Sequence, residues 1–141
     1  MFDKFGELES WEKLNELAVN LLKEGDSDSL KALCEENGID YEDVMDAPSD
    51  SPITAVQAAL GRIKVEQDND KQTPAIIYDF ARTLVDKDTA PLFTVKGKRV
   101  KGVYEDLRNI AQKNKTGNCG VACGTDRELR DIILKYYRRA S

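Results

Sequence analysis

The chain has 141 residues, 40% of them hydrophobic and 33% charged, with a formal net charge of −5 and no histidine. These figures fit one folded domain of ordinary size, able to bury on the order of 68% of the surface of its unfolded form. They also lie above the hydrophobicity at which disorder is the default, and the lack of histidine excludes Ser/His/Asp triads, Cys/His dyads, mixed Cys/His zinc sites and histidine proton shuttles.

In chain order, Phe2, Phe5 and Leu8 recur at every third residue, so one side of the lead-in can pack, and Phe5 before Gly6 reads as an anchored arm. Ser10 is an N-cap candidate, Glu12 complements the positive first turn, and Trp11, Leu14, Leu17, Ala18, Leu21 and Leu22 follow the 3.6-residue repeat up to Gly25. Asp26 and Ser27 offer a second cap, before the stripe of Leu30, Leu33 and Cys34 and the stop signal Asn37-Gly38. Asp40 can cap a third short helix through Val44 and Met45.

Residues 47–52 are the chain's Pro/Ser-rich punctuation and read as a connection. Ser51 as cap and Pro52 at the first helical position predict a helix with Ile53, Val56, Ala59, Leu60 and Ile63 inward. Thr73-Pro74 repeats the signal ahead of Ile76, Ile77, Phe80, Ala81, Leu84 and Val85, and residues 86–95 are expected to be helical or irregular. A basic loop at residues 96–99 leads into a helix lined by Val100, Val103, Tyr104, Leu107, Ile110 and Ala111, where Gly102 costs about 1 kcal/mol against Ala. After a loop holding Gly117, Gly120 and Gly124, the capping box Thr125-Asp126-Arg127-Glu128 opens a last helix with Leu129, Ile132, Ile133, Tyr136 and Tyr137 on one side. The expected fold is therefore all-α: one compact domain over residues 1–141, with six or seven short to medium helices.

Charge divides this chain. Through residue 50 there are 15 acidic residues against four lysines, a net of −11, while the remaining 91 residues hold 11 acids and 17 bases, a net of +6. An acidic helical front at residues 1–46 thus precedes a neutral to basic part at residues 53–141, a split that bears on association and partners rather than on fold. Carboxylates held on rigid helices can imitate phosphate spacing and occupy a cationic nucleic-acid channel, against the plainer reading of a solubilising surface; the residues concerned are Glu12, Glu16, Asp28, Glu35, Glu36, Asp40, Glu42 and Asp43. From residue 93 onward 12 bases oppose five acids, and Lys96, Lys98, Arg99 and Lys101 are candidate nucleic-acid contacts, unless these cations only balance the front.

Cys119 and Cys123 suggest a metal or redox pair, but only Cys34 remains as a further ligand and Cys-x-x-Cys spacing is missed by one residue. The neighbouring glycines lack the Gly-Lys-Ser/Thr order of a phosphate loop, so small loop residues and a flexible connector are the preferred readings. No carboxylate pair stands out as an acid/base couple, so neither an enzyme nor a cofactor or metal site is expected. No apolar run approaches the roughly 20 residues that span a bilayer, no cleavage pattern follows Met1, and three cysteines are an odd number, so a cytoplasmic location is expected.

The opening Met1-Phe2-Asp3-Lys4-Phe5-Gly6-Glu7, with Leu14-Asn15-Glu16-Leu17-Ala18, Leu22-Lys23-Glu24-Gly25-Asp26, Ser29-Leu30, Glu36-Asn37-Gly38-Ile39-Asp40 and Glu42-Asp43-Val44, resembles the PcfK-like small proteins of mobile elements in gut Firmicutes. Gly61-Arg62-Ile63-Lys64-Val65-Glu66, residues 96–102 and Ile132-Ile133-Leu134-Lys135-Tyr136-Tyr137 add to the likeness, whereas residues 67–95 and 114–126 depart from it. That group includes inhibitors of the type II CRISPR effector nuclease, so the resemblance implies an anti-CRISPR role with the nuclease, or its guide RNA complex, as partner. An RNA-guided nuclease holds its heteroduplex in a positively charged channel, which an acidic module could cover. The alternative is an accessory nucleic-acid-binding protein of a conjugative element, working through residues 96–101 and the basic final helix.

Overall fold

A computed structural model describes residues 5–113 and 126–139, with side chains described at all of these except 110–113 and 126. Among the described residues seven α-helices follow one another: α1 (Trp11–Glu24), α2 (Ser27–Glu36), α3 (Tyr41–Asp46), α4 (Ala55–Asn69), α5 (Ala75–Leu84), α6 (Val100–Lys113) and α7 (Asp126–Arg138), with a 3-10 helix at Ala90–Thr94 between α5 and α6. No strand occurs among the described residues, which bears out the all-α expectation. Phe2, the glycines at 117, 120 and 124, Cys119, Cys123 and the Thr125 cap lie outside the described residues, as do the side chains of Ile110 and Ala111.

Local chemistry sets the front helices as the sequence implies. The Ser10 hydroxyl accepts the Lys13 N–H, Asp26 accepts from Ser29 and Asp40 from Glu42, so each of α1, α2 and α3 starts on a side-chain cap. Gly25 (φ 71°) closes α1 in the left-handed region, returning its N–H to the Leu21 and Leu22 carbonyls, and Gly38 (φ 66°) turns the chain after α2.

The start of α4 differs from expectation. Ser51 and Pro52 do not open it; Thr54 does, through a reciprocal capping box with Gln57. The reason is burial: Pro52 and Ile53 are fully enclosed, and the Asn15 side chain of α1 takes the Ile53 N–H at 3.0 Å, so the chain stays extended long enough to seat Ile53 in the front core. At α5, Pro74 is the N-cap rather than the first helical residue.

Two apolar clusters share α4. Ala58 joins the front cluster of Leu14, Ala18, Leu21, Leu30, Leu33, Cys34 and Val44, while Ala59 and Ile63 join the back cluster of Tyr78, Phe93, Val103, Ile133 and Tyr137. Each large side chain fully buried here contributes about 1.5–3 kcal/mol relative to exposure. In the back cluster Phe93 and Tyr137 lie 4.5 Å apart between ring centroids, and Tyr136 meets Tyr137 edge-on at 5.1 Å. The helix packing is closest where Gly61 of α4 meets the end of α2: a methyl group on Gly61 would lie 2.2 Å from the Asn37 carbonyl oxygen, so only glycine permits this approach.

Two expected core positions face outward instead. Leu60 is exposed because the inward stripe of α4 runs through Ala59, Arg62, Ile63 and Glu66, one residue round from the expected one. Ile76 is 74% exposed in the first turn of α5, and Tyr78 occupies the core in its place.

Candidate functional site

Arg62 and Glu66 stand one turn apart on α4, at spacing that places both on its buried side, and they form the centre of a charged hub. The Arg62 guanidinium reaches Glu7 Oε2 at 2.8 Å and, through Nε, Glu66 Oε2 at 3.4 Å, and it donates to the Lys98 and Thr94 carbonyls at 3.3 and 3.4 Å. Glu7 also accepts from the Gly97 N–H and pairs with Arg99, while Glu66 Oε1 accepts the Val100 N–H at 2.7 Å. Around this hub the arm and the start of α1 are stitched to the end of the 3-10 helix: the Trp11 backbone N–H donates to Thr94 Oγ1 at 3.3 Å, and the Lys96 backbone N–H donates to the Glu9 carbonyl at 3.2 Å.

The two carboxylates of the hub titrate in opposite senses. Burial works to raise Glu7, but the Gly97 N–H and the Arg62 and Arg99 guanidinium groups outweigh it and hold the carboxyl below its ordinary value. For Glu66 burial wins over the Val100 N–H, Arg62 and Arg99, and its pKa is raised.

This hub changes the standing of the basic loop. Lys98 is buried, with its ammonium 5.0 Å from the Tyr136 ring centroid, and Arg99 is committed to Glu7. Neither is presented as an open phosphate contact; Lys96 and Lys101 are exposed. A further cationic surface lies on and just after α7, where Arg130, Lys135, Arg138 and Arg139, with Asp131 and Leu134 between them, line an open groove of about 560 Å³; Arg130 lies 4.0 Å from Asp131 and Arg139 3.2 Å from Asp106.

The eight acids of the front do not form one patch. Glu35, Asp40 and Asp43 come together along a groove of about 840 Å³ between the α2–α3 corner and α4, whose other wall carries exposed Leu60 and Lys64 of α4, and Arg82 of α5. Asp28 and Glu42 are exposed on the far side of α2 and α3, next in sequence to Ser27 and Tyr41, which line a separate notch against α1. Glu12 and Glu16 sit on the first half of α1, where Glu16 meets Lys13 at 3.7 Å in an exposed pair of little energetic weight. Glu36 is turned inward and accepts the Phe5 N–H at 3.2 Å, which fastens the arm to α2.

Two further polar features surround these surfaces. The Tyr78 hydroxyl donates to Asp70 at 2.6 Å at the wall of a cavity of about 330 Å³ that Arg99 and Lys101 also line. Burial works to raise Asp70, yet hydrogen bonds from Thr73, Tyr78 and Gln72 lower it to about 2. Cys34 is buried beneath the acidic groove, and burial, with the Asp40 charge beside it, raises its thiol to about 11, which keeps it protonated and unreactive.

Glu7, Arg62 and Glu66 were not among the sequence candidates. A signal for two of them existed: Arg62 and Glu66 fall at the i, i+3, i+4, i+7 positions set by Ala59, Ile63 and their neighbours, so charged residues stood at inward spacing. Comparison with protein-family models, with curated proteins and with solved structures finds no match to this chain.

Proposed function

We propose that this chain is an anti-CRISPR protein, which binds the type II CRISPR RNA-guided DNA endonuclease or its guide RNA complex and blocks it without a covalent step. The observation that carries the reading is the fate of the acidic front. Among the described residues Glu12, Asp28, Glu35, Asp40, Glu42 and Asp43 are exposed, and none of them is ion-paired with a lysine or arginine of the basic part; the pairs joining the two parts run through Glu7. Had the cations of the back neutralised these carboxylates, no field would be left to act on a partner. Lys64 and Arg82 line the groove opposite Glu35, Asp40 and Asp43 without an ion pair to them, so the exposed carboxylates, though spread over separate faces, keep a negative field that steers toward the cationic channel in which an RNA-guided nuclease holds nucleic acid. The setting is the cytoplasm of a bacterium that carries a phage or other mobile element.

A DNA-cleavage assay with purified nuclease and guide tests the reading. Wild-type protein in molar excess suppresses cleavage, less so as salt rises, and the double charge reversal Glu35→Lys/Asp43→Lys, which leaves the caps and the hub intact, weakens inhibition about tenfold. Unchanged cleavage in the presence of excess wild-type protein removes the reading for the nuclease tested.

A second reading, an accessory nucleic-acid-binding protein of a conjugative element, is favoured by the cationic groove on α7 rather than by the loop at residues 96–101. It requires a gel shift with free DNA or RNA that weakens steeply with salt and with Arg130→Ala/Arg138→Ala.

A further inference from the structure

Within the acidic lobe, the helices α1, α2 and α3 leave an open notch of about 220 Å³, lined by no residue of α4, whose apolar walls are Leu21, Leu22, Leu30, Tyr41 and Met45. Met45 is 50% exposed, a large apolar side chain left at the surface of a helix whose neighbouring Val44 is fully buried. For scale, a closed apolar cavity of about 150 Å³ holds benzene, so the notch has room for one aromatic or branched aliphatic side chain.

The exposed charges next in sequence to its lining are mostly acidic. Exposed Glu24 and Asp26 flank Gly25 of the notch, Asp28 follows Ser27, Glu42 follows Tyr41 and Asp46 follows Met45, against Lys23 and Lys31. Lys31 lies with its ammonium 5.3 Å from the Tyr41 ring centroid, so it is drawn onto the notch wall rather than projecting from it. An apolar floor with a carboxylate rim repels phosphate and does not suit nucleic acid. It complements a protein segment in which an apolar side chain stands between lysines or arginines.

The geometry points to this notch as the anchor pocket of the interface: it takes one apolar side chain from a basic segment of a protein partner, which the acidic rim orients. The inference rests on the reading of the acidic front as a protein-binding surface and adds where the contact is centred. Its physical logic is that of protein interfaces in general, in which surrounding charges set encounter and specificity while a buried anchor sets residence time.

Methionine provides the test, because the chain holds only two, Met1 and Met45. In protein carrying carbon-13 methionine methyl groups, a short helical Leu/Lys peptide is expected to shift the Met45 methyl resonance saturably, while poly-lysine, with the charge but no apolar side chain, leaves it in place. By calorimetry, Met45→Asp weakens the peptide about tenfold and Met45→Leu, which keeps an apolar wall, retains it; melting curves check that both variants are folded. A Met45 signal unmoved by the Leu/Lys peptide, or moved equally by poly-lysine, overturns the inference. With the nuclease–guide complex in place of the peptide, a wild-type chain that binds must lose about tenfold in affinity on Met45→Asp, and equal affinity overturns the inference as well. A wild-type chain that does not bind the complex overturns the proposed function instead, and the peptide titration then decides the notch by itself.

Discussion

Replacing Arg62 with methionine removes a side chain that joins the arm, α4 and the basic loop. Its guanidinium is 7% exposed and contacts two carboxylates that are themselves enclosed, Glu7 at 11% and Glu66 at 3% exposure. Methionine restores much of the volume but leaves Glu66 buried without its nearest cation and the Lys98 and Thr94 carbonyls without a donor. Breaking a buried pair by deleting one partner costs about 3–5 kcal/mol, far more than a solvated pair. At about 2–4 °C per kcal/mol for a chain near this size, the melting temperature should fall by on the order of 10 °C. Urea unfolding followed by circular dichroism measures the loss, with an unchanged m-value showing that the native state is otherwise intact. A double-mutant cycle with Glu7→Gln should give a coupling of at least about 1 kcal/mol, whereas Glu16→Gln, at the solvated Lys13 pair, should stay within about 0.5 kcal/mol of wild type. Stability of Arg62→Met within about 1 kcal/mol of wild type, or strict additivity with Glu7→Gln, would refute the view that this hub is coupled.

The hub also predicts pH behaviour of two signs. Glu7, with its pKa lowered, contributes stability that is present above its unfolded value near 4.5 and lost as pH falls through its folded value, so Glu7→Gln should flatten the acid limb of urea midpoints. Glu66, with its pKa raised, takes up a proton first in the folded state, so stability gains as pH falls through that raised value toward 4.5, and Glu66→Gln should abolish the gain; profiles parallel to wild type would contradict both assignments. Gly61→Ala should destabilise by about 1–3 kcal/mol despite its better helix propensity, since the new methyl meets the Asn37 carbonyl, and a stabilised variant in melting experiments would count against the close approach. Tyr78→Phe should cost about 1 kcal/mol in urea unfolding and raise the Asp70 pKa from about 2, readable by side-chain carboxyl NMR. With Cys119→Ser/Cys123→Ser leaving Cys34 as the sole thiol, a disulfide reagent at pH 8 should react only after denaturant is added; prompt labelling of the native protein would show the thiol to be accessible.

Where structure follows from adjacent residues, the sequence is a good guide. Ser10, Asp26, Asp40, Gly25 and the Asn37-Gly38 pair announce the boundaries of α1, α2 and α3 because a cap is a contact over three or four residues. Thr54 was equally legible as a capping box with Gln57, but Ser51-Pro52 offered a competing start, and the choice between them depended on Asn15 reaching Ile53 from α1. The hub was not legible for the same reason on a larger scale: Glu7 meets Arg62 and Arg99 across 55 and 92 residues, and nothing local reports such a meeting. Gly102 makes the point in miniature. Its sequence context suggests only a weakened helix, whereas a methyl group there would lie 2.1 Å from the Tyr136 hydroxyl, so its absence is what lets α6 and α7 close. As for the acids, composition identified the front as charged, but only packing separates Glu36, which holds the arm, from Glu35, Asp40 and Asp43, which border the groove.

The double grip on Glu7 also has a consequence in time. The 37 residues separating Arg62 from Arg99 take on the order of 2–7 s to synthesise at about 5–20 residues per second. During that interval a nascent chain can offer Glu7 its first guanidinium but not its second, so the amino-terminal lobe can assemble on α4 while the latch is still half shut. A ribosome-bound chain from which α4 has emerged while residue 99 has not would therefore offer its carboxylates to a partner before the segment that locks the arm is in place.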